Sequence, residues 1–181
     1  MVIHTPRLAL RPVEQSDAPA LLDAMRCPLV HQMHSDGFHS LAHVQRYIDV
    51  LIGEYAQGKF RTLGIAHKPE DKLIGMITID EQAVFSRVEL GYWIHLDWRN
   101  EGYSTEAVSA VVEDCFAKGR ANRIQALTSN PASARVLEKA GLRYEGTLRQ
   151  YFGKGNGFAD VRMYAVLQGD CRAGAAQKNI P

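Results

Sequence analysis

No stretch of this sequence approaches the roughly 18 consecutive apolar residues that a membrane-spanning helix needs, so no membrane partner is expected. Cysteine is scarce: Cys27, Cys115 and Cys171 are odd in number and have no CxxC spacing, which argues against a disulfide framework and a zinc knuckle. An excess of either charge is missing as well. The 21 Lys and Arg stand against 20 Asp and Glu, whereas neutralising many phosphates needs a basic surplus, so nucleic acid is not an expected partner. The opening MVIHTPRLALR has no apolar core followed by small residues, and a cytoplasmic location is expected.

What is present fits an ordinary globular chain, with 46% hydrophobic and 23% charged residues in 181. A chain of this size buries about 70% of its unfolded surface without a staple. No internal repeat or low-complexity linker interrupts it, so residues 1–168 are expected to form one domain and residues 169–181 a flexible tail.

The segment Arg7 to Arg11 alternates polar and apolar residues before Pro12 and reads as a first strand near a sheet edge. Ser16 or Asp17 can cap a helix running to about Cys27, and Ser40 opens a second helix with Val44, Tyr47, Ile48, Leu51, Ile52 and Tyr55 on one face. Strands are expected at Arg61 to His67, Leu73 to Asp80 and Arg87 to His95, forming an antiparallel meander. Gly102 to Lys118 then sets Ala107, Val108, Val111, Val112, Cys115 and Phe116 on one helical stripe. Arg123 to Ser129 reads as a strand, Ala132 to Ala140 as a helix, and Leu142 to Phe152 with Phe158 to Leu167 as a final pair. Asn156-Gly157 suits the hairpin turn between them.

The chemistry concentrates where the Arg87 to His95 strand passes through Leu-Asp-Trp and Arg99-Asn100-Glu101-Gly102 into the helix beginning at Tyr103, Ser104 and Thr105. A strand-turn-helix junction leaves backbone N–H groups unpaired and pointing one way, and the helix end adds partial positive charge. Gly102 allows an anion to approach the backbone and Arg99 can screen it, so Arg99 to Thr105 is a candidate phosphate nest; alternatively, Gly102 merely relieves a turn.

Downstream stands Asn130-Pro-Ala-Ser133-Ala-Arg135-Val-Leu-Glu-Lys-Ala-Gly141. With Thr5 to Pro12, Glu89-Leu-Gly-Tyr-Trp93, Gly102 to Ala107 and the ending Asp160 to Leu167, this resembles the GNAT superfamily of N-acetyltransferases, closest to its RimJ/RimL-type branch. The resemblance implies an α/β GNAT fold: a mixed, mostly antiparallel sheet splayed between strands 4 and 5 and flanked by about four helices. It places acetyl-CoA, as co-substrate, with its pantetheine arm in the splay and its pyrophosphate on Arg99 to Thr105. That branch acetylates the N-terminal amines of ribosomal proteins. Ser104 stands where the family usually has Gly or Ala, and a small side chain suffices because the backbone N–H is what binds.

Alternation along the fourth strand sends Val88, Leu90, Tyr92 and Ile94 to one face and Glu89, Gly91, Trp93 and His95 to the other, which reads as a pocket wall or a solvated face. Most amines are protonated at neutral pH, so a base is required. Glu89, alone or through water, is the first candidate and His95 the second. Backbone N–H groups near Trp93 and Ile94 are the candidates for holding the oxyanion. Within the resemblance, many relatives protonate the departing thiolate with a tyrosine seven residues after the Asn, where this chain has Leu137. In the RimL-like branch a serine three residues after it takes the role, and Ser133 occupies that place; it can equally be an early-turn serine bonded to backbone. Asn130 and Arg135 complete the cofactor side, Asn130 by holding the CoA amide chain or capping a helix.

His31, His34, His39 and His43 fit no HExxH pattern and read as acceptor-pocket wall rather than metal ligands, so no metal is expected. The resulting expectation is acetyl transfer to a primary amine, on a protein N-terminus or a small molecule, by direct attack in a ternary complex formed by a monomer or homodimer. The alternative is a non-catalytic acyl-CoA sensor on the same fold.

Overall fold

The computed structural model describes residues 1–24, 27, 40–59, 61–154 and 157–170. The strands are β1 (Ile3–His4), β2 (Leu8–Arg11), β3 (Thr62–His67), β4 (Lys72–Gln82), β5 (Arg87–Ile94), β6 (Arg123–Thr128), β7 (Arg143–Lys154) and β8 (Gly157–Leu167). The α-helices are α1 (Ala18–Ala24), α2 (Leu41–Ala56), α3 (Tyr103–Ala117) and α4 (Pro131–Lys139). In one mixed sheet the strand order is β1-β2-β3-β4-β5-β6-β8-β7. Antiparallel registers join β1 to β2, β2 to β3, β3 to β4, β6 to β8 and β7 to β8, while β5 and β6 run parallel. The expected α/β architecture is therefore present. The short β1 precedes the first strand read from the sequence, so strands 4 and 5 of that reading are β5 and β6.

The β5–β6 register holds for Arg87 with Arg123, Val88 with Ile124 and Glu89 with Gln125. Beyond that point β5 runs on to Ile94 and β6 to Thr128 with no further register between them among the described residues. Parallel pairing thus stops at Glu89 and Gln125.

The chain divides into two compact units, Met1–Ile79 with Tyr92–Ala110, and Asp80–Gly91 with the residues from Val111 onward. In the first, the expected alternation of β2 is met: Leu8 and Leu10 are fully buried, while Ala9 and Arg11 are half-buried. Ser40 caps α2 by accepting the His43 N–H at 3.3 Å, and the buried stripe of that helix is Val44, Ile48 and Leu51. Ile52, expected on the same face, is exposed. The stripe packs with Val13, Leu21, Met76 and Trp93 in one apolar cluster, where each fully buried large side chain contributes about 1.5–3 kcal/mol. Burial pushes the Tyr47 phenol, at the edge of that cluster, up to about 12. Gly75 of β4 lies against β5 so closely that a Cβ there would stand 2.3 Å from the Trp93 carbonyl oxygen, an approach only glycine permits.

In the second unit, the Asn122 N–H bonds the Ser86 carbonyl at 2.8 Å, which starts β6 beside β5. Both the β6–β8 and β7–β8 pairs are long, and β7 carries bulges between Tyr144 and Gly146 and between Leu148 and Phe152. Residues 155 and 156, where the Asn-Gly turn was expected, and 171–181 of the expected tail lie outside the described residues. All six residues of the predicted α3 stripe are buried, Ala107 and Val108 belonging to the first unit and Val111, Val112, Cys115 and Phe116 to the second.

The segment before β2 is tied to the start of α3. The Glu106 carboxylate accepts from the Thr5 hydroxyl at 2.6 Å, from the Arg7 N–H at 3.0 Å and from Arg7 Nε at 2.7 Å. Burial by itself would raise the Glu106 carboxyl, but those donors outweigh it and hold the group below the ordinary carboxylate range. Its stabilisation is therefore present above the unfolded pKa, near 4.3 for glutamate (~), and is lost as the pH falls through the lower folded value. Glu106→Gln is expected to lower stability at neutral pH by about 1–2 kcal/mol, a modest figure because the Arg7 side chain is 43% exposed and screened. Denaturant midpoints of wild type and variant should converge below about pH 4. A gap that persisted in acid would assign the loss to packing instead.

Candidate active site

From β5 the chain turns through a short 3-10 segment, Leu96–Trp98, into the polar turn before α3. His95 starts this turn: its N–H bonds the Ile74 carbonyl at 2.8 Å, and its Nδ1 accepts the Asp97 N–H at 3.3 Å. Nε2 of the same ring lies 3.2 Å from Asp23 Oδ2. Two residues then take left-handed conformations, Asn100 at φ 67° and Gly102 at φ 82°. Asparagine tolerates this region and glycine enters it without strain, so the residue types match the backbone. The first helical bond of α3 runs from the Glu106 N–H to the Gly102 carbonyl at 3.0 Å. The amides of Tyr103, Ser104 and Thr105 precede it and so lie ahead of the first acceptor in the helix.

Arg7 holds this turn from behind. Its Nη1 donates to the Glu101 carbonyl at 3.0 Å, its guanidinium lies 4.3 Å from the Tyr103 ring centroid, and a Cβ on Gly102 would stand 3.5 Å from its Nη2. Tyr103 turns inward: its hydroxyl is 3.3 Å from His67 Nε2, and its ring packs against those of His67 and Trp98. Arg99, expected to screen an anion, donates Nε to the Ile94 carbonyl at 3.1 Å and Nη2 to Cys27 Sγ at 3.3 Å. Asn100, Glu101 and Gly102 are exposed, and Ser104 and Thr105 are half-buried.

Alternation along β5 holds as far as Leu90 and then fails. Trp93, expected on the pocket wall, is 8% exposed and belongs to the apolar cluster with Leu21, Ile48 and Met76, while Ile94 is buried as well. Both faces of the strand are covered at this level, so the period-2 contrast disappears. The backbone of Trp93 is also turned away from the expected role. Because the His95 N–H bonds β4, strand alternation puts the Trp93 N–H on the same edge and the N–H of Ile94 on the opposite one.

Glu89 sits half-buried at the last registered β5–β6 pair, where its Oε2 accepts from Gln125 Nε2 at 2.8 Å. Beyond β6, Asn130 caps α4: its Oδ1 accepts the Ala132 N–H at 2.9 Å, and Pro131 follows at the first helical position, where its missing N–H is not needed. Ser133 is half-buried in the first turn of α4 and Arg135 is exposed one residue beyond Ala134. Leu137, where the resemblance implies a tyrosine in many relatives, is fully buried. His31, His34 and His39 lie outside the described residues, and among the described residues no group of three or more His, Cys, Asp or Glu could hold a metal ion.

Two features were not read from the sequence. The Thr5, Arg7 and Glu106 network had no assigned role, although the first two belong to the opening block of the resemblance. Gln125 had none either, although an amide between buried Ile124 and Ala126 is itself a signal.

The acetyltransferase (GNAT) domain family matches residues 7–143. Among curated proteins, the chain is 30% identical to YoaA of Bacillus subtilis (strain 168), an uncharacterised N-acetyltransferase, over 92% of this chain and 97% of that protein. It is 29% identical to the ribosomal-protein-serine acetyltransferase of Escherichia coli (strain K12), over 54% of this chain and 56% of that protein. Among solved structures, a GNAT-family acetyltransferase from Bacillus anthracis superposes with a TM-score of 0.82 at 25% identity, covering 93% of this chain and 99% of that one. With the strand order, the parallel β5–β6 pair and the turn ahead of α3, these matches place the chain in the GNAT family, as an acetyl-CoA-dependent N-acetyltransferase.

Proposed function

We propose that the enzyme acetylates a primary amine by direct attack on acetyl-CoA in a ternary complex, with the N-terminal amine of a protein as the first acceptor class and small-molecule amines as the second. The observation that carries this reading is Glu89, a carboxylate fixed on β5 where its pairing with β6 stops. Kinship with a ribosomal-protein-serine acetyltransferase favours the protein acceptor.

Acetyl-CoA supplies an activated thioester. Its fit is supported by the Asn100 and Gly102 conformations, the amides of Tyr103 to Thr105 at a helix N-terminus, and the Arg99 cation beside the turn, all suited to a diphosphate. The Ile94 N–H, on the edge of β5 away from β4, holds the thioester carbonyl oxygen; Trp93 is left out of that role. Glu89 takes a proton from the substrate ammonium, directly or through water, and the neutral amine attacks the thioester carbonyl carbon. Ser133 donates its hydroxyl hydrogen bond to the departing thiolate, and Asn130 and Arg135 line the cofactor side of α4.

Glu89→Gln tests the central assignment. Thiol release from acetyl-CoA is measured with peptides bearing N-terminal Ser or Ala and with free amines. At neutral pH the variant is expected to lose on the order of 10²-fold in kcat, narrowing above the ~8 at which a terminal amine is already neutral. A loss equal at all pH values would make Glu89 structural.

Gly102→Asp brings strain and a negative charge into the turn, and Gly102→Asn brings the strain alone, since both residues tolerate left-handed backbone. By calorimetry the Asp variant is expected to bind acetyl-CoA at least tenfold (~) more weakly than the Asn variant, at similar stability. Equal affinities would remove this turn from the site.

Ser133→Ala is expected to lower kcat by about tenfold with KM for acetyl-CoA nearly unchanged, because a bond formed mainly in the transition state does not support ground-state binding. The loss stays small because a thiolate leaves tolerably well unaided. A full-rate variant would end the assignment.

A further inference from the structure

Gln125 is 3% exposed between Ile124 at 0% and Ala126 at 2%, a position where an unpaired amide is costly. Both ends of the amide are engaged. Nε2 donates to Glu89 Oε2 at 2.8 Å, and Oε1 accepts from Arg123 Nε at 3.0 Å. An arginine Nε can only donate and an ionised carboxylate can only accept, so this amide has one orientation: oxygen toward Arg123, NH₂ toward Glu89. Arg123 is fixed in turn from β7, donating Nη1 to Glu145 Oε1 at 2.9 Å and Nη2 to Oε2 at 2.5 Å. These bonds raise the Arg123 guanidinium and lower the Glu145 carboxyl relative to their ordinary values, so the pair stays charged.

The amide bridges the two strands at their last registered pair, Glu89 with Gln125. One carboxylate oxygen is held there by a fixed donor, which sets the plane of the carboxyl and hence the direction in which Oε1 presents its lone pairs. A freely rotating carboxylate would have to be ordered for each turnover, whereas this one is ordered by the fold.

We propose that Gln125, oriented by Arg123 and Glu145, is the positioning residue for Glu89, holding Oε2 so that Oε1 faces the amine. The inference rests on Glu89 being the base, and the test separates the two. Steady-state kcat and KM for acetyl-CoA are measured for wild type, Glu89→Gln, Gln125→Met, Arg123→Met and the double variants that combine Glu89→Gln with each of the other two. Met keeps the volume of Gln and removes both hydrogen-bonding ends.

In the wild-type background Gln125→Met is expected to lower kcat by about tenfold, the size of one hydrogen bond to a charged group, with KM for acetyl-CoA unchanged within about twofold. Arg123→Met, which releases the amide to rotate, is expected to lower kcat by about threefold. In the Glu89→Gln background neither substitution should lower kcat further, because residues acting through one another do not add. An undiminished loss in that background would show that Gln125 serves the fold or another step, overturning the proposal while leaving Glu89 as the base. A Glu89→Gln enzyme with full activity would overturn the base assignment and this proposal with it. Thermal unfolding checks that Gln125→Met folds; if it does not, the Arg123→Met pair decides, since Arg123 is one-quarter exposed and its loss leaves Glu145 solvated.

Discussion

The bond between Arg7 and Glu106 settles a conflict built into any helix that binds an anion at its N-terminus. An acidic residue in the first turn favours the helix, because it complements the partial positive charge of the exposed amides. The same carboxylate repels an anionic ligand approaching those amides. In this chain Glu106 occupies the first turn of α3, and its carboxylate is bonded to the guanidinium and N–H of Arg7 and to the Thr5 hydroxyl. The helix keeps its favourable charge, and an anion of the kind proposed for this turn would meet a neutralised pair. Arg7 also grips the Glu101 carbonyl and covers Tyr103, so one side chain fixes both the turn and the first residue of the helix behind it.

That network shows where a sequence is legible and where it is not. The turn could be read because its parts are neighbours in the chain: a strand, a glycine, a helix start. The buried stripe of α3 could be read because its period is local too, and all six residues took their expected side. Arg7 and Glu106 are separated by 99 residues, and Glu89 and Gln125 by 36, so nothing in the local pattern of either partner announces the other. Trp93 was misread for a different reason. Alternation tells one face from the other only where one face is wet, and at Trp93 and Ile94 β5 is covered on both. The close approach of Gly75 to the Trp93 carbonyl belongs to the same packing. The splay was anticipated only through the family resemblance, since no residue in β5 or β6 marks by itself where pairing ends.

The choice between the two candidate bases turns on which lone pairs the fold has already committed. A neutral imidazole has a single acceptor nitrogen. In His95 both nitrogens are engaged: Nδ1 accepts the Asp97 N–H and so helps form the turn after β5, and Nε2 lies 3.2 Å from Asp23 Oδ2. To take a proton from a substrate, His95 would have to release one of these partners and loosen the turn that leads to α3. A carboxylate offers roughly four acceptor positions on two oxygens, and the bond from Gln125 occupies one of them. Glu89 can therefore be held and can still accept, whereas His95 can do one only by giving up the other. A fixed acceptor with capacity left over suits proton transfer from an ammonium, and this asymmetry in lone-pair supply is the ground on which Glu89 rather than His95 is proposed as the base.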